Sequence, residues 1–173
     1  AVVGFDSVAS AQASSSPTSI SFNATVNSGG LKRAMVVAVS IRKKDSETTS
    51  NPPIVDSVSF NSVAFDPAIV VRDNNEGSGN KAKLRVELWL LVAPSTGTHL
   101  VEIVLSRAAE SVVAGAVSAT NVLASDPYRS ATFANNSGSS TATQTITTAV
   151  GDLVVDVLGA KGDIAATVGS GQT

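Results

Sequence analysis

No cysteine occurs anywhere in the 173 residues, which excludes a disulfide framework, a thiolate metal site and a cysteine nucleophile. A lone histidine, His99, leaves little room for acid–base or nucleophilic chemistry built on imidazole. Aromatic residues make up only 4% of the chain, thin support for the two or three stacked rings of an ordinary sugar-binding face. Charged residues reach 15%, against about 25% in an average soluble domain. The net charge of −2 supplies no field to draw nucleic acid or anionic lipid, so neither partner is expected. No apolar run approaches the ~20 residues needed to cross a bilayer as a helix, and no basic-then-apolar leader pattern opens the chain, so membrane insertion is not expected either.

Ser, Thr, Ala, Val and Gly fill the space that charge and aromatics leave. These residues suit strands, turns and polar sheet faces, whereas surface helices need Glu, Lys, Arg and Leu. Period-two alternation is clear at Ser19–Val26, where Ile20, Phe22, Ala24 and Val26 share a face, and at Lys83–Val92. Ala34–Ile41 is nearly all apolar, as in a central strand covered on both sides. Val55–Phe60 and Val63–Val71 read as a hairpin around Asn61-Ser62, with Asp66-Pro67 marking an edge or a bulge. Lys83–Val92 and His99–Ser106 flank the turn Pro94-Ser-Thr-Gly97 and are expected to pair antiparallel. Ser111–Thr120, in which Gly115 permits close packing or a bulge, Thr141–Thr148 and Leu153–Leu158 complete the strands. No stretch carries a sustained helical pattern with caps. The expected fold is all-β: residues 1–173 as one two-sheet antiparallel β-sandwich, jelly-roll-like or Ig-like, of about nine to eleven strands with little or no helix. A barrel is the alternative, because periodicity does not separate one closed sheet from two packed ones.

The segment Leu84-Arg-Val-Glu-Leu-Trp-Leu-Leu-Val-Ala-Pro-Ser-Thr-Gly-Thr-His99 resembles a hairpin of a β-sandwich module found in large bacterial surface or secreted proteins and in phage virion proteins. Ala38–Ile41, Ser57–Ala64, Val113–Ser118 with Asp126-Pro127, and Gly151–Val157 match the same module in order. The resemblance implies an accessory or structural role and carries no catalytic residue over. Modules of this kind continue past the Gly-x-Gly-Gln-Thr segment into closing strands bearing a tryptophan. The sequence here ends at Thr173, so the sandwich is expected to be open at one edge or closed by a strand from elsewhere.

Candidate chemistry is sparse. Asp73, Asn74, Asn75 and Glu76 offer hard oxygen ligands of the kind calcium takes, and Asp73, Asn75 and Glu76 form a weak calcium candidate without EF-hand spacing. Asp152 reads as a turn residue and Asp156 as a hydrogen-bonded structural carboxylate. The basic groups Lys32–Arg33, Arg42–Lys44 and Lys81–Arg85 read as solvated strand ends. Trp89, mid-strand, reads as core, which leaves Tyr128 as the one candidate exposed ring for a glycan. No catalytic residue and no cofactor is expected.

The tail Asp163-Ile-Ala-Ala-Thr-Val168 is a weak strand with few of the guards that native edges carry. The expectation is completion in trans: Ala1, Val2, Val3 and Phe5 of a neighbouring subunit pair against the edge that holds Ile164 and Val168. The expected function is thus a non-catalytic structural or adhesive module of an extracellular assembly, on a cell surface or virion. Its partners would be itself or other subunits, and the alternative is a carbohydrate-binding module.

Overall fold

The structure, a computed structural model, describes residues 2–47, 51–74, 83–123, 125–134 and 143–160, with 67–74 described by their backbone. Nine strands and no helix occur among them: β1 (Gly4–Ser14), β2 (Ser19–Val26), β3 (Ala34–Arg42), β4 (Val55–Phe60), β5 (Val63–Ala64), β6 (Asp66–Asn74), β7 (Leu84–Val92), β8 (Gly97–Leu105) and β9 (Ser111–Thr120). They form two antiparallel sheets, one of five strands in the order β1-β9-β3-β7-β6 and one of four in the order β2-β8-β4-β5. The fold is a β-sandwich rather than one closed sheet.

Alternation decides which side chains meet between the sheets. In the five-stranded sheet, Ala9, Ala116, Val37 and Trp89 stand in one row and all face inward. Opposite them lie Ile20, Ala24 and Val26 of β2, Val101, Ile103 and Leu105 of β8, and Val58 and Phe60 of β4. Trp89 is 8% exposed, as its mid-strand position predicts. Burying a side chain of this size contributes about 2–3 kcal/mol.

Two irregularities re-aim side chains that strict alternation would misplace. The register of β1 shifts between Phe5 and Ser7, so the extra residue Asp6 puts Phe5 and Val8 on the same outward face. The register of β4 shifts between Val55 and Ser57, and the spare Asp56 lets both Val55 and Val58 point into the core. Gly115 makes no bulge: β9 runs through it in register with Ser10 and Ala38.

Several expected pairings are corrected. β7 and β8 do not form a hairpin, because β7 pairs with β3 and β6 while β8 pairs with β2 and β4. Ala93, at φ 53°, still donates its backbone N–H to Arg33; the chain then turns at Pro94 and arches into the other sheet. The Val63–Val71 strand is likewise divided. β5 pairs with β4 across Asn61-Ser62, both at positive φ, and the chain crosses at Phe65 so that β6 pairs with β7 at the edge. The register of β6 shifts between Asp66 and Val70, the irregularity that Asp66-Pro67 announces. Residues 143–148 and Leu153–Leu158 form no ladder strand; the remainder of the Thr141–Thr148 expectation lies outside the described residues.

Candidate functional site

The inward face of β7 carries a carboxylate that the sequence reading passed over. Glu87, 2% exposed, accepts hydrogen bonds from Arg85 Nε at 2.5 Å, from Trp89 Nε1 at 2.9 Å and from the backbone N–H of Val55 at 3.2 Å. Residues 85, 87 and 89 are neighbours on one face of one strand, whereas Val55 belongs to the opposite sheet. The carboxylate therefore joins the two sheets and satisfies the indole that the core would otherwise strand. Lys43, read as a solvated strand end, is also 2% exposed, and its backbone N–H donates to Lys83. Continuation of the β3–β7 ladder draws it inward.

A second polar cluster closes the seam where β1 runs beside β2. Ser118 Oγ donates to Asp6 Oδ2 at 2.6 Å, and Asn27 donates to Asp6 from its side chain at 2.9 Å and its backbone at 3.1 Å. Ser7 Oγ bonds to Ser118 Oγ and to the Thr25 carbonyl. Burial pushes the Asp6 carboxyl up, but the bonds from Ser118 and Asn27, with the charge of Arg33, outweigh it and hold the pKa below its usual 3.8. Serine and aspartate meet here without an imidazole, since His99 is engaged elsewhere. Its Nε2 lies 3.0 Å from the Thr96 carbonyl and its ring sits edge-on to Phe60.

The outer face of the five-stranded sheet is the most distinctive surface. Ala34, Leu90, Ala119 and Val122 form a second apolar cluster there, backed by Val3, Val36 and Val92. Across this face runs an extended strap, residues 151–160. Arg129 Nε holds Asp152 Oδ2 at 2.7 Å, Asp152 also takes the Ala149 backbone N–H at 2.8 Å, and Val3 donates to the Gly151 carbonyl at 2.9 Å. The hydrogen bond from Arg129 foremost, then that from Ala149, lowers the Asp152 pKa below 3.8. Farther along, Gly159 lies against Val86 and Ser40. Between the strap and β1–β9 is an open groove of about 290 Å³, floored by Ser10, Ala38, Ser40 and Gly115 and walled by Val113 and Leu158. Phe5 (59%), Val8 (66%), Val113 (50%), Val154 (51%) and Leu158 (54%) remain exposed on this side.

The expected site residues are not brought together. Val2 and Val3 lead into β1, and Phe5 is paired with Ala119 of its own chain, so this segment is engaged in cis rather than free to be donated. Ala1, Ile164 and Val168 lie outside the described residues, as do Asn75 and Glu76. Asp73 belongs to β6, paired with Arg85, and not to a loop. Among the described residues no group of three His, Cys, Asp or Glu side chains could hold a metal. Tyr128 is half exposed beside Arg129, without a second ring facing it among the described contacts. Comparison of the chain with protein-family models, with curated proteins and with solved structures finds no match in any of the three.

Proposed function

We propose that this chain is a non-catalytic structural or adhesive module that works through protein–protein contacts in an extracellular assembly, such as a virion decoration or fibre protein or a surface-filament subunit. The observation that carries this reading is the outer face of the five-stranded sheet, where Phe5, Val8 and Val113 stay exposed on an already apolar layer. Exposed apolar surface gathered on one face marks an interaction site more often than chance scatter does. The polar clusters at Glu87 and Asp6 have partners that account for them structurally. The family resemblance at Leu84–His99 points the same way. The carbohydrate-binding alternative rests on Tyr128 alone.

Electron microscopy of the purified full chain, and of particles displaying it, tests the reading. Regular oligomers, or copies at defined positions on a particle, are the expected result. Discrete monomers that bind a glycan array and lose binding on Tyr128→Ala would replace it with the carbohydrate reading.

A further inference from the structure

β1 is held by its main chain more than by its side chains. It is the outer strand of the five-stranded sheet, and its ladder partner among the described residues is β9, met in ten pairs from Gly4↔Thr120 to Ser14↔Ser111. No side chain of β1 is fully buried, and its apolar contacts with the core are three alanines, Ala9, Ala11 and Ala13. Lifting the strand away therefore uncovers little apolar surface. What is given up is a ladder that an identical strand restores pair for pair.

The chain turns from β1 into β2 at Ser15 and Ser16, both exposed and both at φ 67°. Side chains other than glycine meet a steric cost in that region. Ser16 also precedes Pro17, and a residue before proline is driven towards extended backbone. Beyond the turn the chain is fixed, because the Pro17 and Thr18 carbonyls accept the N–H groups of Ala109 and Leu105, each at 2.9 Å. Strain is thus gathered in two residues. Extending them relieves it and carries β1 as a unit away from its own β9.

The bulge selects what takes the vacated place. β9 receives β1 with Asp6 as the extra residue between Phe5 and Ser7, and Ser118 Oγ donates to Asp6 Oδ2 at 2.6 Å. Another β1 meets that register, and the single acidic group within it, in full. We propose that two copies of this chain exchange β1 reciprocally about a two-fold axis, with Ser15 and Ser16 as the hinge, so that β1 of each copy pairs with β9 of the other. The cis pairing described above is the closed form of the same contact. The inference rests on the protein-contact reading and names a second copy as the partner.

The absence of cysteine lets introduced thiols report the contact alone. Gln12 and Val113 are paired across the β1–β9 ladder and both are exposed. Gln12→Cys chains mixed with Val113→Cys chains, brought to equilibrium at high concentration and then oxidised, should give a disulfide-linked heterodimer. Gln12→Cys mixed with Leu100→Cys, which lies on the other sheet, should give none. In sedimentation the wild type should dimerise at high concentration. Ser15→Gly combined with Ser16→Gly removes the strain of the closed turn and should raise the dissociation constant about tenfold or more. A glycine variant that dimerises as tightly as the parent would overturn the hinge. Dimers that give no Gln12→Cys to Val113→Cys link overturn strand exchange and leave the protein-contact reading standing. A wild type that stays monomeric at its highest soluble concentration overturns the exchange as well, and the particle images described above then decide separately whether the chain assembles with other subunits.

Discussion

Removing the Glu87 carboxylate should cost more than any other single polar change in this sandwich. Glu87→Ala leaves three donors without their acceptor: the Val55 backbone N–H and the Trp89 indole, both in the core, and the Arg85 guanidinium, whose side chain is 13% exposed. Each stranded neutral donor costs about 1–3 kcal/mol. Arg85 retains some solvent and other contacts, so its share is smaller than that of a fully enclosed cation. The sum falls near the 3–5 kcal/mol typical of breaking a buried ion pair. For a domain of this size that is a drop of on the order of 10 °C in melting temperature. Glu87→Gln keeps one acceptor oxygen but turns an NH2 group toward a donor, and should lose about 1–3 kcal/mol. Trp89→Phe removes the indole donor and keeps most of the packing. A double-mutant cycle between the last two should give a coupling energy of about 0.5–3 kcal/mol. The assay is urea unfolding followed by circular dichroism, with Phe60→Ala as a core control expected to lose 3–5 kcal/mol, in round terms. If Phe60→Ala behaves so while Glu87→Ala unfolds within about 1 kcal/mol of the parent, the inter-sheet role of Glu87 is wrong.

Two further outcomes follow from the turns and the strap. Asn61 and Ser62 sit at φ 49° and 63°, the pattern of a two-residue hairpin whose second position favours glycine, so Ser62→Gly should stabilise by about 0.5–1 kcal/mol; a lower melting temperature would contradict that. Asp152, with its pKa lowered in the fold, contributes anchoring that is complete above 3.8 and is lost as the pH falls through the lower folded value. Acidification through that window, or Asp152→Asn at neutral pH, should speed hydrogen exchange or protease cleavage in Leu153–Leu158 ahead of the sheets, and equal rates in variant and parent would refute the anchor.

Strand positions were legible wherever alternation involved Val, Ile, Leu and Phe. Ser19–Val26 and Ser111–Thr120 match β2 and β9 at both ends. β1 was not read as a strand: its inward residues are Ala9, Ala11 and Ala13, and alanine is a poor strand signal beside Ser10, Gln12 and Ser14. Partner choice was not legible. A hairpin and an arch both bury the inner faces of β7 and β8, so the pattern Trp89, Leu91 and Val101, Ile103 is the same for either. Glu87 lies four residues into a strand of apolar neighbours, and that position was the one available hint of a buried carboxylate. The bulge at Asp6, which puts Phe5 outward beside Val8, leaves no mark in a period-two reading.

The arches also govern the order in which the molecule can be made. Ser7 bonds to Ser118, 111 positions further on, and β1 has its ladder partner in β9, the last strand among the described residues. A ribosome releasing this chain from its first residue holds β1 without that partner until β9 has emerged. Neither sheet can form from sequence neighbours alone, because successive strands mostly belong to opposite layers. Folding should accordingly be slow for the chain's length, as expected when the defining contacts are distant in sequence. The nascent chain exposes the apolar strands β3 and β7 through that interval, and its yield in a cell will depend on how long that exposure lasts.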